Sequence, residues 1–208
     1  CRELYETDVV NYGTLYGGGF VGLLAEKHER NQYEFDRERV RFVTTSAMEL
    51  AFADEKFDFV VSFNAFEHIP EPTRALQEIV RCLRPGGYAY ITFDPIYYSD
   101  TGGHMFHRVP EPWGHLMYPK HEYVRMMREA GASEEEVNDF LYGLNRWRLS
   151  EFRDLFRKAE RHGQLEILQK DEWKGFHDPS HRKHPHWKTL RRWLSKKDLK
   201  TRAMQLII

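Results

Sequence analysis

The sequence predicts an α/β domain whose mostly parallel sheet carries helices on both faces. Two apolar runs, Phe57–Phe63 and Tyr88–Phe93, are typical of parallel strands that are buried on both sides. Between them, Pro72 suits a first helical turn, and apolar residues follow at helical spacing. The Arg-Pro-Gly-Gly sequence at 84–87 predicts the end of that helix. A strand, a helix and a strand in this order imply a right-handed parallel crossover.

Length and composition are those of one globular domain, which we predict to span residues 1–208. Hydrophobic residues make up 41% of the chain and charged residues 30%, as in ordinary folded proteins. The formal net charge of -1 provides no overall field for nucleic acid or an anionic membrane. No apolar run reaches the roughly 18–20 residues that a membrane helix needs. Cys82 lies among apolar neighbours and is predicted to be a buried free thiol, which is typical of the cytoplasm.

The amino-terminal part of the chain is predicted to contain two short strands and a helix. Arg2–Glu6 resembles the last turns of a helix that began earlier, and since the chain starts at Cys1 we expect an upstream segment. Thr7–Tyr12 contains the valine pair of a short buried strand. Phe20–Arg30 has the apolar spacing of a helix, and Val40–Thr44 is a strand rich in β-branched residues.

Residues 94–120 show neither a helical nor a strand period and contain four prolines and three glycines. A loop of this length in a compact domain is usually functional or disordered, and its many aromatic residues argue against disorder. With the helices that follow, it forms a predicted substrate-side insertion at 94–148. The remaining predicted elements are three helices and two strands: His121–Ala130, Ser133–Leu144, Glu151–His162, Leu165–Leu168 and Ala203–Ile208.

The segment FNAFEHIPEP, followed by ALQEIVRCLRPGG, closely resembles the class I methyltransferases that use S-adenosylmethionine, in particular their type 11 group. The resemblance implies a Rossmann-like fold with strand order 3-2-1-4-5-7-6 and an antiparallel last strand. This chain is similar from the family's second strand onward. The family's first strand and its glycine-rich turn have no counterpart before residue 8, so we expect a truncated or divergent amino terminus.

The resemblance also implies where the cofactor binds. The residues that it assigns to the cofactor are Gly13, Ser46, Ala47, Met48, Phe63, Asn64, Ala65, Glu67 and His68. A solvated helix start is the competing interpretation of Glu67 and His68. Two carboxylates of the family are replaced, because Gly13 falls near the end of strand two and Thr45-Ser46 stands in place of a Gly-Asp pair. Each lost charged hydrogen bond is worth roughly 1.5–3 kcal/mol, so we expect weakened cofactor affinity.

Three histidines of the 94–120 loop are candidates for the base that takes a proton from an acceptor hydroxyl. We favour His104 and His115, because nearby glycines leave room for a substrate, and Asp94 is a further candidate. For each of them the competing interpretation is a packing or turn-forming role. The residues assigned to substrate binding are Tyr97, His107 and Trp113.

The segment His177–Lys200 is rich in Lys and Arg and contains two tryptophans. Positive charge with interleaved aromatic residues is typical of an RNA-binding surface, but a solvated helix with buried tryptophans fits equally well. Its four histidines match no standard ligand spacing and no cysteine joins them, so we predict no metal site.

The sequence therefore predicts methyl transfer from S-adenosylmethionine to a small-molecule or sugar hydroxyl, or to an amine. Two alternatives stay open: a non-catalytic, methyltransferase-like scaffold, which the altered cofactor motifs favour, and an RNA methyltransferase. The expected partner is a small-molecule or glycan substrate rather than a membrane or a nucleic acid. The oligomeric state is left open.

Overall fold

The structure, a computed structural model, describes residues 2–11, 14–33 and 36–208. Its strands are β1 (Leu4–Asp8), β2 (Val40–Thr44), β3 (Phe57–Phe63), β4 (Leu83–Phe93), β5 (Gln169–Lys174) and β6 (Thr201–Ile207). Its α-helices are α1 (Phe20–Arg30), α2 (Pro72–Cys82), α3 (Gly114–Met117), α4 (Lys120–Glu129), α5 (Glu134–Tyr142), α6 (Leu149–Arg161), α7 (Pro185–Leu190) and α8 (Lys196–Lys200). Short 3-10 helices occupy Leu15–Gly18, Arg37–Arg39 and Pro179–Lys183.

The strands form two sheets whose orders confirm the predicted fold. Strands β1 and β2 pair in parallel, and a second sheet has the order β3-β4-β6-β5. Strand β3 is parallel to β4, whereas β6 is antiparallel to both of its neighbours. These orders reproduce the family series 3-2 and 4-5-7-6. Among the described residues, no strand joins β1 to β3, where the family places its first strand.

The first strand begins earlier than the sequence suggested. Leu4–Asp8 is a strand, so the helix end predicted at Arg2–Glu6 is wrong, and the strand predicted over Thr7–Tyr12 ends at Asp8. The Tyr5 ring contacts the rings of Phe52 and Phe57, with centroids 5.3 and 5.5 Å away. We infer that this packing determines where the strand lies in the sequence. The two valines that suggested a buried strand, Val9 and Val10, lie beyond its end and are exposed.

Strand β4 is also longer than predicted at its start. The sequence Arg-Pro-Gly-Gly at 84–87 does not form a separate turn but continues β4, which begins at Leu83 directly after α2. A side chain at Gly87 would approach the carbonyl oxygens of Arg84 and Asp58 at 3.0 Å. The second glycine is therefore needed because β3 lies so close to the backbone here.

The sixth strand of the family series is displaced toward the carboxyl terminus. We predicted Leu165–Leu168, but Leu165 and Ile167 pack against the main core without joining the sheet, and the strand is Gln169–Lys174. This strand lies at the edge of its sheet, and edge strands are commonly polar and charged. Its sequence therefore lacks the apolar pattern by which a strand is recognised.

The main hydrophobic core lies between the four-stranded sheet and helices α2 and α6. Within it, the Phe93 ring at the end of β4 packs against Phe152 of α6, with centroids 4.5 Å apart, and against Phe66 at 6.0 Å. Separate clusters lie beneath the 105–140 region and around Trp113. Of the helices described, none is long and apolar enough to cross a bilayer. The core thus supports the turns that follow β3 and β4, with the 94–148 segment beside them.

Candidate active site

The turn after β3 begins with exposed residues and is held in an unusual backbone conformation. Asn64 has a φ of 47°, in the left-handed region that asparagine tolerates better than most residues. Its N–H donates a hydrogen bond to the Thr92 carbonyl at 2.9 Å, which ties the turn to β4. The Phe63 and Asn64 side chains are exposed and Ala65 is half-buried. These three predicted cofactor residues therefore border solvent at the carboxyl end of β3.

Glu67 is a buried carboxyl group in the same turn. Its side chain is only 3% exposed, and Oε1 accepts a hydrogen bond from the Asp94 N–H at 3.2 Å. The other oxygen, Oε2, is buried without a hydrogen-bond partner in the described part of the chain. Burial raises the pKa of Glu67 to about 7, because its effect is larger than that of the backbone hydrogen bonds, which lower the pKa. This is not the solvated helix start that was the alternative for Glu67.

His68 and His104 face each other beside Glu67. Their rings are perpendicular, with centroids 4.9 Å apart. One ring nitrogen of each histidine and one carboxylate oxygen of Glu67 all lie within 4.8 Å of one another. His68 Nδ1–H donates to the Gly143 carbonyl at 2.9 Å, and His104 Nε2–H donates to the Pro95 carbonyl at 3.1 Å. Burial lowers the pKa of His104, which favours the neutral form of its ring.

Asn145 fixes the position of this turn, and sequence reasoning missed it. Its Nδ2 donates to the carbonyls of Phe66 at 2.6 Å and Ile69 at 2.9 Å, and its backbone N–H donates to the Glu67 carbonyl at 3.0 Å. Its Oδ1 accepts from the Trp147 N–H at 3.0 Å. One asparagine thus joins the 94–148 segment to the turn after β3. A lone asparagine in a polar stretch carries no signal of such contacts.

The other two candidates for the base occupy different environments. His115 is buried, and its Nε2–H donates to the Tyr97 carbonyl at 2.7 Å. Burial lowers the pKa of His115 to about 4. Asp94 lies 3.4 Å from the Arg202 guanidinium, and burial raises its pKa against the lowering effect of that charge. Of the three candidate bases, His104 is the one with a ring nitrogen within 4.8 Å of the potential ligand atoms of Glu67 and His68.

The residues predicted to bind substrate do not gather at one place. Tyr97 is half-buried and packs edge-on against His115, with centroids 5.1 Å apart. His107 is exposed and pairs with Glu136 at 2.9 Å. Trp113 is completely buried and packs on Trp187 in a hydrophobic cluster, so in this structure it supports the segment and offers no surface to a ligand.

The first sheet changes the interpretation of the cofactor residues. Asp8 ends β1, so a carboxylate stands where the resemblance requires the ribose-binding acid, whereas the sequence had placed that position at Gly13. Gly13 lies outside the described residues. Ser46, Ala47 and Met48 follow β2, where the Ser46 Oγ accepts from the Met48 N–H at 3.1 Å.

Two clefts lie elsewhere on the molecule. One of about 640 Å³ lies at the start of β4, beside residues 164–168, and one of about 610 Å³ lies between α2 and α6. Neither is lined by Asn64, Glu67 or His104. We place the site at the turn after β3 because the ionisable groups with unusual environments meet there.

The basic carboxyl-terminal segment is partly anchored in the fold. His181 Nδ1 lies 2.6 Å from the buried Asp100 carboxylate, and Trp187 is buried whereas Trp193 is 78% exposed. Trp187 is therefore a core residue, as the alternative to RNA binding predicted for both tryptophans, whereas the exposed Trp193 does not fit that alternative. His184 and His186 meet Glu111 in a second cluster of metal-ligand type.

Comparisons with known proteins agree with the fold and the turn. A family described as "Methyltransferase domain" matches residues 19–91. An uncharacterized methyltransferase of Mycobacterium sp. (strain JLS) is 34% identical over 88 residues, which cover 42% of this chain and 34% of that protein. One from Mycobacterium avium is 40% identical over 63 residues, 30% of this chain and 24% of the relative. Over residues 19–91 the chain is therefore similar to methyltransferases.

Two solved structures of methyltransferases have the same fold at low sequence identity. An S-adenosylmethionine-dependent methyltransferase from Methanosarcina mazei superimposes with a TM-score of 0.50 at 17% identity, over 98% of this chain and 79% of that one. Another from Mesorhizobium loti gives a TM-score of 0.50 at 10% identity, over 99% and 80%. The chain spans about a third of the length of the curated relatives it matches.

Proposed function

We propose that this protein transfers a methyl group from S-adenosylmethionine to a hydroxyl or amine of a small molecule or sugar. The observation that carries the proposal is the meeting of Glu67, His68 and His104 beside the exposed turn after β3. In open α/β sheets, ligands bind outside the carboxyl ends of the strands. Similarity to methyltransferases over residues 19–91 supports the cofactor and the reaction class.

In this proposal the cofactor lies along the carboxyl ends of the parallel strands. The resemblance assigns the ribose to the acid that ends β1, which is Asp8, and the adenosine and methionine parts to Asn64 and Ala65. The adenine lies near Ser46, where the acid of the family is absent. One of the two missing carboxylates is thereby restored, so the affinity we expect is higher than the sequence alone suggested.

The methyl acceptor approaches from the 94–148 segment. Its oxygen or nitrogen attacks the methyl carbon, the carbon–sulfur bond breaks, and the acceptor loses a proton. His104 is the candidate base that the geometry favours, because it meets Glu67 and His68 while the His115 ring is buried against the Tyr97 carbonyl. Alignment of the two reactants supplies most of the catalysis, since the sulfonium already carries the reactive group.

Binding of S-adenosylhomocysteine, measured by isothermal titration calorimetry, tests the proposal. We expect a saturable signal for the wild-type protein and a Kd raised about 10-fold or more for Asp8→Asn, since a charged hydrogen bond is worth roughly 1.5–3 kcal/mol. Asp58→Asn is the matched control, because Asp58 is exposed near the start of β3, where it pairs with Arg84. Absence of binding by the wild-type protein would contradict the proposal.

A non-catalytic scaffold is the second candidate. It is favoured by Ser46, which stands where the family has its adenine-binding acid. Failure to bind S-adenosylhomocysteine in the titration above would support it.

We place the protein in the cytoplasm as part of the same proposal. Cys82 is a free thiol buried in α2, and free buried cysteines are ordinary in reducing compartments.

A further inference from the structure

Three side chains of metal-ligand type converge beside the turn after β3. Glu67, His68 and His104 each present one potential ligand atom, and these atoms lie within 4.8 Å of one another. The Glu67 Oε2 is buried and has no hydrogen-bond partner among the residues described. A buried carboxylate oxygen without a partner is rare in folded proteins and calls for an explanation.

The hydrogen bonds of the two imidazoles determine which nitrogen carries the lone pair. A carbonyl oxygen can only accept, so His68 must be protonated at Nδ1, which bonds to Gly143, and His104 at Nε2, which bonds to Pro95. In the neutral rings, Nε2 of His68 and Nδ1 of His104 are then the electron-pair donors. Metal-binding histidines typically donate their other N–H to a backbone carbonyl or a carboxylate in this way.

We propose that Glu67, His68 and His104 bind a divalent first-row transition ion such as Zn²⁺. One carboxylate and two imidazoles are a ligand set that such ions use when coordination positions stay open for a water or a substrate oxygen. The positive ion supplies a partner for Oε2 of Glu67, which has none among the described residues. This departs from our expectation from the sequence that the protein has no metal site.

The ion also narrows the choice of methyl acceptor. A hydroxyl oxygen bound at an open coordination position loses its proton more readily, because the ion stabilises the resulting anion. The acceptor would then be an alcohol or phenol and not an amine, and the ion would perform the task given above to His104 as a base. This consequence rests on the proposed function, whereas the metal site itself rests only on the three side chains.

The second cluster, Glu111, His184 and His186, is a poorer candidate. Both Glu111 oxygens accept hydrogen bonds from the Tyr118 hydroxyl, at 2.9 and 2.8 Å. The Nδ1 of His184 accepts from the His186 N–H and caps α7. No carboxylate oxygen is orphaned there among the residues described, so this cluster provides the matched control.

Titration with Co²⁺, followed by its visible absorption and by calorimetry, tests the metal site. We expect about one ion per wild-type chain, and a Kd at least 10-fold higher for Glu67→Gln and for His104→Ala. The double variant His184→Ala with His186→Ala should bind as the wild type does. Because Glu67→Gln keeps the shape of the side chain, and its far-ultraviolet circular dichroism should match the wild type, lost binding would not reflect unfolding.

Two results would overturn the metal site: absence of Co²⁺ binding by the wild-type protein, or loss of binding in the His184 and His186 double variant but not in Glu67→Gln. Methyl transfer is measured separately, with and without a chelator. Turnover that a chelator does not change would leave His104 as the base and contradict the role of the ion. Metal binding without any methyl transfer would contradict the proposed function and leave the metal site standing.

Discussion

At the scale of single residues, the turn after β3 combines features that are unfavourable for stability. Asn64 adopts a left-handed conformation, and Glu67 is buried with one oxygen unpartnered within the described residues. Burial raises the pKa of the Glu67 carboxyl group to about 7, because the charged form is poorly stabilised away from water. Such features persist where a ligand benefits from them, which is why we place the site here.

His115 should make stability depend on acid pH. Its folded pKa is about 4 against 6.5 for the free side chain, so the neutral ring stabilises the fold above pH 6.5. That stabilisation is lost as the pH falls from 6.5 through 4, because the unfolded chain then binds the proton more readily. The difference corresponds to about 3 kcal/mol at 1.36 kcal/mol per unit.

Urea unfolding of the wild-type protein and of His115→Gln, across this pH range, measures the effect. The variant should lose less free energy of unfolding on acidification, while His121→Gln, at an exposed position, should follow the wild type. Equal losses in all three proteins would show that the buried ring is not the group responsible.

At the scale of elements, Asn145 connects α5 and α6 to the turn that carries Glu67 and His68. Replacing it with Ala removes the donor of two hydrogen bonds and leaves the carbonyls of Phe66 and Ile69 without that partner. We expect Asn145→Ala to lower the free energy of unfolding by about 1–3 kcal/mol. Because the turn would also move, Co²⁺ affinity should fall.

Denaturant unfolding and Co²⁺ titration of Asn145→Ala check both effects. Asn138→Ala, at an exposed position within α5, is the control and should change neither quantity. A destabilised Asn145→Ala with unchanged Co²⁺ affinity would show that the asparagine serves stability alone.

At the scale of the whole molecule, the main core joins the sheet to the site. Phe156 of α6 is 1% exposed and its ring centroid lies 6.0 Å from that of Phe66, which directly precedes Glu67. Phe156→Ala should lower the free energy of unfolding by about 3–5 kcal/mol, as large-to-small changes in a well-packed core do.

Thermal and urea denaturation of Phe156→Ala test this, with Phe59→Ala as the control. The Phe59 ring is 56% exposed on β3, so its loss should have a much smaller effect. A small effect at Phe156 would mean that α6 is not packed on the sheet as the structure shows.

Much of the fold could be predicted because its elements follow local rules. Strands Val40–Thr44 and Phe57–Phe63 and helix Phe20–Arg30 have the bounds that their apolar patterns predicted. The wrongly predicted strands are those whose positions depend on contacts between distant parts of the chain or on their place in the sheet. Strand Leu4–Asp8 depends on the contacts of Tyr5 with distant rings, and Gln169–Lys174 is a polar edge strand.

The sequence by itself determined the α/β class, the turn after β3 and the resemblance to methyltransferases, because apolar period and motif spacing are properties of neighbouring residues. Only the tertiary structure decided which histidine meets Glu67, that Trp113 is buried, and that Asn145 joins the insertion to the turn. His68 and His104 are separated in the chain by α2 and β4. Contacts over such distances depend on how the elements pack, and no local pattern of residues encodes them.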